Sequence, residues 1–458
     1  MNKADLRNQT LEAQPLHPKT EVHPMPWWCS PTGISLGFLL PLMFLIAVAG
    51  SAPHPALTIR GVLFLDLKYL LLGGLMILVI GLGGWIGAQL HSSRPFPAPT
   101  STEGAAQRKA WDRAARVLGA ITLFGLSIWF RDFLLNPVLL WHTLTGVYQP
   151  DRNDITLTPG LTSLANVSPA FFTLYAMRAT DGHPTRPPRA LHVMGVTLAL
   201  VTVFRVYVWS ERLAMIEMAV PFGLVIGRWT SHKRGSIWTV IRVAGPYAAI
   251  PFLVLFFGLA EYARSWSAGS HQGQLGFWEF AVGRFASYYF TSLNNGAGLL
   301  ATSNWPTFEL EHTLEWLHRA PLGLGKPFSE FVGFNGARFE GYLETYQDIE
   351  FNSPSGIFGV IADLGLQGGI AYLFCLALAA GLAFRAYREE RLIGVLAYPM
   401  FFISFMEIYR YPYFGQPRAF TWALGMLLAL LLVHLRSAPA RAISSPISTR
   451  KTGAEPCA

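Results

Sequence analysis

Residues 66–90 read DLKYLLLGGLMILVIGLGGWIGAQL. From Tyr69 to Leu90 there is no charged side chain. At a helical rise of about 1.5 Å per residue, such a run is long enough to cross the roughly 30 Å hydrocarbon core of a bilayer. Lipid offers no partner to a backbone N–H or C=O, so a spanning segment has to satisfy its own, as a helix does. The same pattern recurs along the chain. Spans are expected at about 32–50, 66–90, 115–135, 158–178, 191–209, 213–229, 237–260, 354–384, 391–408 and 418–436.

The composition agrees. Of 458 residues, 52% are apolar and 14% charged, with 32 Phe and 14 Trp. That balance excludes a soluble domain of this length. The expected fold is an all-α polytopic membrane protein of about ten transmembrane helices, with one long loop between the seventh and eighth. Residues 1–31 and 437–458 read as disordered tails, 32–260 as spans one to seven, 261–353 as the long loop, and 354–436 as spans eight to ten. Residues 91–108 read as a similar polar loop. No 20–50-residue repeat is found.

Basic residues set the expected orientation. Lys3, Arg7 and Lys19 precede the first span; others fall in alternate loops, Arg94–Arg116, Arg178–Arg189, Arg228–Arg242 and Arg385–Arg391, and in the C-terminal tail. This places both termini in the cytoplasm and the long loop outside. The first span reads as a retained signal anchor, not a cleaved leader. The net charge of +8 follows from the same bias and from anionic lipid, so nucleic acid is not an expected partner. Cys29, Cys375 and Cys457 are too scattered for a disulfide frame or a metal site. No HExxH, GxSxG or GxxxxGK[S/T] pattern occurs, and Asp151-Arg-Asn-Asp154 is only a short turn. No cofactor or metal is expected.

The long segment 261–353 carries five basic and ten acidic residues, and is the one place with room for chemistry in water. It begins with an aromatic stretch, Phe277 to Phe290, which reads as an amphipathic helix at the membrane interface, with Arg284 facing the site and Tyr288 beside it. It ends at Glu350-Phe-Asn352-Ser-Pro-Ser-Gly356, where a membrane helix opens and continues into Asp363-Leu-Gly365-Leu-Gln-Gly-Gly369. Gly365 and Gly369 have the spacing that lets two helices pack closely. Asp363 is expected to pair with an arginine of a neighbouring helix.

A second group lies between the fifth and sixth spans: Arg205, Glu211 and Arg212. Arg205 and Arg212 are two helical turns apart and share a face if one helix runs through both. Two guanidinium forks suit a pyrophosphate; snorkelling with a Glu211–Arg212 link is the plainer alternative. Glu217 is a further intramembrane acid and a candidate partner of Arg205, and Pro221 a candidate kink. The last outer loop, Glu407 to Arg418, sets Arg410 and Arg418 among Tyr409, Tyr411 and Tyr413. Tyrosines stack on sugars and arginines hold phosphates, although an aromatic belt has the same composition.

The order of these elements is an arginine near the end of the fifth span, a long loop with Tyr288-Tyr-Phe-Thr-Ser-Leu-Asn294, then Pro321-Leu-Gly-Leu-Gly325, Phe351-Asn-Ser-Pro-Ser355 and Asp363-Leu-Gly-Leu-Gln-Gly368. It resembles the Wzy-type oligosaccharide repeat-unit polymerases of the O-antigen polymerase and ligase superfamily. The resemblance implies a GT-C-like glycosyltransferase in the bacterial inner membrane, with the long loop in the periplasm. The implied substrates are undecaprenyl-pyrophosphate-linked oligosaccharides. The implied partners are membrane lipid, a chain-length regulator and a flippase. Ligase-like relatives carry His where this chain has Phe351, which favours a polymerase; a ligase or a lipid-linked oligosaccharide transporter are the alternatives. Arg205, Arg212 and Arg410 are expected to neutralise the leaving group, with Arg284, Arg338 and Arg418 in support. Glu350 or Asp348 would take the acceptor proton, with Glu211 as substitute, and Asn352, Tyr288 and Tyr411 would contact sugar.

Overall fold

The computed structural model describes residues 25–51, 61–90, 101–145, 147–148, 156–180, 187–209, 211–230, 235–261, 276–334, 336, 338–349 and 352–437. Both far tails, Arg94, the Asp151–Asp154 turn, Glu350 and Phe351 lie outside them. Among the described residues every regular element is helical. We number the helices α1 (Pro31–Val48), α2 (Leu67–Gln89), α3 (Ser101–Trp129), α4 (Arg131–Leu135), α5 (Pro137–Leu144), α6 (Ser168–Thr180), α7 (Arg189–Trp209), α8 (Arg212–Thr230) and α9 (Ser236–Glu261). They continue with α10 (Phe277–Thr302), α11 (Glu315–His318), α12 (Gly325–Phe331), α13 (Arg338–Tyr346), α14 (Phe358–Arg388), α15 (Leu392–Met406) and α16 (Pro417–Ser437). Seven of these, α1, α2, α7, α8, α9, α14 and α16, are long and apolar enough to cross a membrane. The chain is a multi-pass, all-α membrane protein.

The glycine-rich run of α2 explains how it packs: one side meets α14, while Leu71, Leu75, Leu78, Leu82 and Trp85 lie exposed on another. Asp66 caps the helix by accepting from the Tyr69 amide at 3.1 Å. A Cβ at Gly83 would lie 2.7 Å from the Phe374 carbonyl oxygen, and one at Gly87 would lie 2.2 Å from that of Leu378. The helices α2 and α14 therefore meet backbone to backbone, as small residues allow. Across this pair Tyr398 and Tyr409 on the α15 side donate hydrogen bonds to the Cys29 and Leu39 carbonyls of the N-terminal segment.

Four details differ from the sequence reading. The third span begins at Ser101, inside the stretch read as a polar loop, and breaks at Phe130. The aromatic stretch 277–290 is only the first part of a longer helix: Trp278 and Val282 are more than half exposed, but α10 runs on to Thr302, and residues 292–300 are all buried. Gly365 has φ 75°, so it breaks α14 instead of forming a helix-packing groove, and its α-carbon faces Pro306. Among the described residues Asp363 pairs with no arginine: Oδ2 accepts from the His312 and Thr313 amides at 2.9 and 2.7 Å and from the Thr313 hydroxyl at 2.9 Å. Three donors satisfy the buried carboxylate and pin the long loop onto α14.

The two ends of the bundle carry different charge networks. At one end Arg178 pairs with buried Asp112 at 2.8 Å, Arg228 pairs with Glu390, and Arg385 pairs with Glu389 at 2.9 Å. The other end holds Arg205, Glu211, Arg212, Glu217, Glu407, Arg410 and Arg418.

Candidate functional site

This second end is built where α7 stops and α8 starts. The helix does not run through Arg205 and Arg212. It ends at Trp209 and restarts at Arg212, so the two arginines do not share a helical face. Arg205 stacks its guanidinium on Trp129, 4.0 Å from the ring centre, and ion-pairs through Nε with Glu211. Arg212 instead turns toward α9 and α10, 4.0 Å from the centre of Phe257 and 4.9 Å from that of Tyr288. Planar, weakly hydrated guanidinium groups favour such aromatic faces.

Glu211 is held by Arg205 and, at 2.9 Å, by Arg418. Arg418 also lies 3.5 Å from Glu217, and Tyr413 donates to the same Glu217 oxygen at 2.6 Å. Glu217 therefore has Arg418 and Tyr413 as its direct partners, not Arg205. All of Arg205, Arg212, Glu217 and Glu407 are less than 7% exposed. Buried charge of this kind is tolerated only when paired.

The loop between α15 and α16 completes the cluster. Arg410 pairs with Glu407 at 2.8 Å and stacks between Tyr288, at 5.4 Å, and Tyr411, at 5.2 Å. Burial works against its charge, but Glu407 together with Tyr411, Tyr289 and Tyr288 outweighs burial and holds the Arg410 guanidinium above its ordinary proton affinity. Burial, reinforced by Glu407, raises the Tyr411 phenol. Arg284, buried in α10, lies one turn before Tyr288 on the same face. Two donors, Arg205 Nη2 and Arg410 Nε, are buried without a hydrogen-bond acceptor. Arg205, Arg212, Arg410 and Arg418 thus gather with Glu211, Glu217 and Glu407.

The Asn352–Gly356 segment positions Arg410 through its backbone. Ser355 N donates to the Arg410 carbonyl and Gly356 N to that of Ile408, each at 2.8 Å. Asn295 Nδ2 on α10 donates to the Ser353 carbonyl at 3.3 Å. A Cβ at Gly356 would sit 2.6 Å from the Tyr411 carbonyl oxygen, so only glycine fits. Asn352 itself is exposed.

The remaining expected residues lie apart. Arg338 pairs with Glu309 at 2.9 Å on a ledge formed by residues 309–316. That ledge rests on the α15–α16 loop: a Cβ at Gly415 would lie 2.0 Å from the His312 carbonyl oxygen, and Gln416 donates to Glu315. Asp348 is half-buried beyond α13, next to Gln347, which donates to the Val62 carbonyl at 2.7 Å. Glu350 lies outside the described residues. On the ledge, burial raises the Glu311 carboxyl above its ordinary range, with His312 acting the other way.

Trp129, Glu407 and Glu311 escaped the sequence reading. Trp129 carries a signal only once the chain is folded, as the aromatic partner of Arg205, whereas Glu407 lies three residues from its partner Arg410. No group of three or more His, Cys, Asp or Glu that could hold a metal ion occurs among the described residues. In comparisons with known proteins, no family model, curated protein or solved structure matches the chain.

Proposed function

We propose that the protein is a membrane glycosyltransferase that polymerises oligosaccharide repeat units carried on undecaprenyl pyrophosphate. One observation carries the reading. Arg212 and Arg410 stack on a single ring, Tyr288, at the end of the bundle where three membrane helices terminate or begin. A lipid-linked pyrophosphate occupies that depth, with its isoprenoid tail among the helices and its glycan above them.

In this reading the hydroxyl of an incoming repeat unit attacks the anomeric carbon of the donor glycan. The C1–O bond to pyrophosphate breaks, and its electron pair stays on the phosphate oxygen. Arg205, Arg212 and Arg410 neutralise that oxygen, and Arg284 adds field from one turn away. Charge preorganised at a developing anion lowers a barrier by roughly 3–4 kcal/mol per well-placed donor. Arg418 acts as a structural clamp on Glu211 and Glu217. The attacking hydroxyl passes its proton to an acid of the ledge; Glu311, whose burial raises its proton affinity, suits the base better than the doubly ion-paired Glu211. The long loop and Asn352 face water and the glycan, on the periplasmic side of a bacterial inner membrane.

The test is purified protein in liposomes with lipid-linked repeat units, read on a gel. A ladder of multiples of the unit supports the reading. Substrate that changes sides of the bilayer without elongation sinks it in favour of a transporter. Transfer of a single glycan to an added acceptor sinks it in favour of a ligase.

A further inference from the structure

After α3 breaks at Phe130, the chain does not climb away from the bundle. Phe130 and Phe133 pack on the last turn of α7, with ring centres 5.1 and 6.3 Å from Trp209 and 5.4 and 5.8 Å from Phe204. Ten residues later Tyr207, on that same turn, donates to the Thr143 carbonyl at 3.3 Å. A helix continuing along the bundle axis would have carried Thr143 about 15 Å beyond Phe133. Instead Thr143, near the end of α5, is held beside the end of α7 as Phe133 is, so the segment from Phe133 to Thr143 turns across the bundle and does not advance along its axis. The chain returns at that level too, for the Thr156 amide donates to Asp132 at 3.3 Å and Arg131 reaches Thr158 at 3.3 Å.

The outward face of this crosswise segment is apolar. Leu134, Leu135, Val138, Trp141, Leu144 and Val147 are all more than half exposed, Leu135 at 82%. In water such a patch is unfavourable. It continues a surface that already faces lipid: Val196, Leu200, Val203 and Tyr207 form the exposed stripe of membrane-spanning α7, and Tyr207 is the residue that holds Thr143. The element also backs the charge cluster, because Trp129 stacks on Trp209 at 5.7 Å and carries Arg205 on its ring.

We infer that α4 and α5 form a membrane-surface element that seats its apolar face in the headgroup–acyl boundary of the leaflet. Its occupant is lipid, not a protein partner. Trp141 anchors it, as an indole does at that boundary. By holding Trp129 and Trp209 there, the element fixes the depth of Arg205 at the level of lipid phosphates. This inference stands without the glycosyltransferase reading.

The test uses full-length protein with Cys375→Ser and Cys457→Ser, leaving buried Cys29, reconstituted in phosphatidylethanolamine–phosphatidylglycerol liposomes. Single cysteines (Leu135→Cys, Val138→Cys, Trp141→Cys and Leu144→Cys) carry a nitroxide, and its exposure to oxygen and to a water-soluble nickel chelate gives depth. All four labels are expected within about 5–10 Å of the boundary, accessible to oxygen and shielded from nickel. A steady ramp of about 13–14 Å from Leu135 to Leu144 would make the segment a spanning helix and overturn the inference. Free access to nickel at all four, or shielding from both reagents by a protein partner, would overturn it equally. If a labelled variant does not elute as a single species, Trp141→Phe takes its place. In lipid brominated near the carbonyl, the wild type is expected to lose more fluorescence than this variant, and no difference overturns the inference. None of these readouts involves turnover.

Discussion

Arg212 and Arg410 share one aromatic ring: their guanidinium carbons lie 4.9 and 5.4 Å from the centre of Tyr288. The ring's negative faces offset the repulsion of two nearby cations. Tyr288→Phe keeps the ring and is expected to unfold within about 0.5 kcal/mol of wild type, whereas Tyr288→Leu loses about 1–2 kcal/mol. Equal stability of the two variants in denaturation from detergent would show that the ring does not hold the cations.

Arg212→Lys preserves the charge but not the planar group that spans Phe257 and Tyr288. Repeat-unit polymerisation by this variant is expected to fall about 10- to 100-fold, since a lysine is a point charge without a fork. Polymer yield near the wild-type level counts against Arg212 as a ligand of the leaving group.

Arg418 stands between two buried carboxylates. Arg418→Met removes the cation from Glu211 and Glu217 together and is expected to cost about 3–5 kcal/mol. Adding Glu217→Gln removes one stranded charge and should return part of that loss, an interaction visible in a double-mutant cycle. A second substitution that deepens the loss would mean the two side chains are not coupled as the distances imply.

Gly356→Ala forces a methyl group against the Tyr411 and Ile408 carbonyl oxygens, both within 2.7 Å of its position. The turn bearing Arg410 must then shift. Polymerisation is expected to drop at least about 100-fold, because a misplacement of about 1 Å can cost that much, while far-ultraviolet circular dichroism stays helical. Asn352→Ala, in the exposed position, leaves the turn intact; a larger defect in this variant than in Gly356→Ala would refute the main-chain clamp.

Glu311 gives the protein a pH dependence of known sign. Its carboxyl is raised above the ordinary 4.5 by burial, so the folded state takes up the proton more readily than the unfolded chain. The stability it contributes is complete below pH 4.5 and is lost as pH rises through the folded value. Glu311→Gln is expected to raise the thermal midpoint at pH 8 and to flatten its decline above pH 5. An unchanged slope would show that Glu311 is not the group responsible.

The helical course of this chain was legible because lipid imposes one rule on every span: apolar residues over about 20 positions. Thus α2, α7, α8 and α9 fall close to where the apolar runs place them. The extent of the helix 277–302 was not legible, because Asn294-Asn295-Gly296 reads as polar loop; in the fold the run from Ser292 to Leu300 is buried, while Trp278 and Val282 near the helix start stay exposed. At the site, Arg205, Arg212, Arg410 and Arg418 stood out as charges in apolar surroundings. Their pairing did not, because Arg418 reaches Glu211 and Glu217 from another helix through tertiary geometry. Asp363 was visible as an anomaly, but its backbone partners at His312 and Thr313 leave no trace in side-chain letters.

The close approach of α2 and α14 has a consequence for permeation. Where a methyl group at Gly83 or Gly87 would strike a carbonyl oxygen, no acyl chain, isoprenoid tail or water can enter. That seam is closed to traffic of every kind. Molecules that reach Tyr288 from the lipid do so around other sides of the bundle, and ions find no leak along this helix pair.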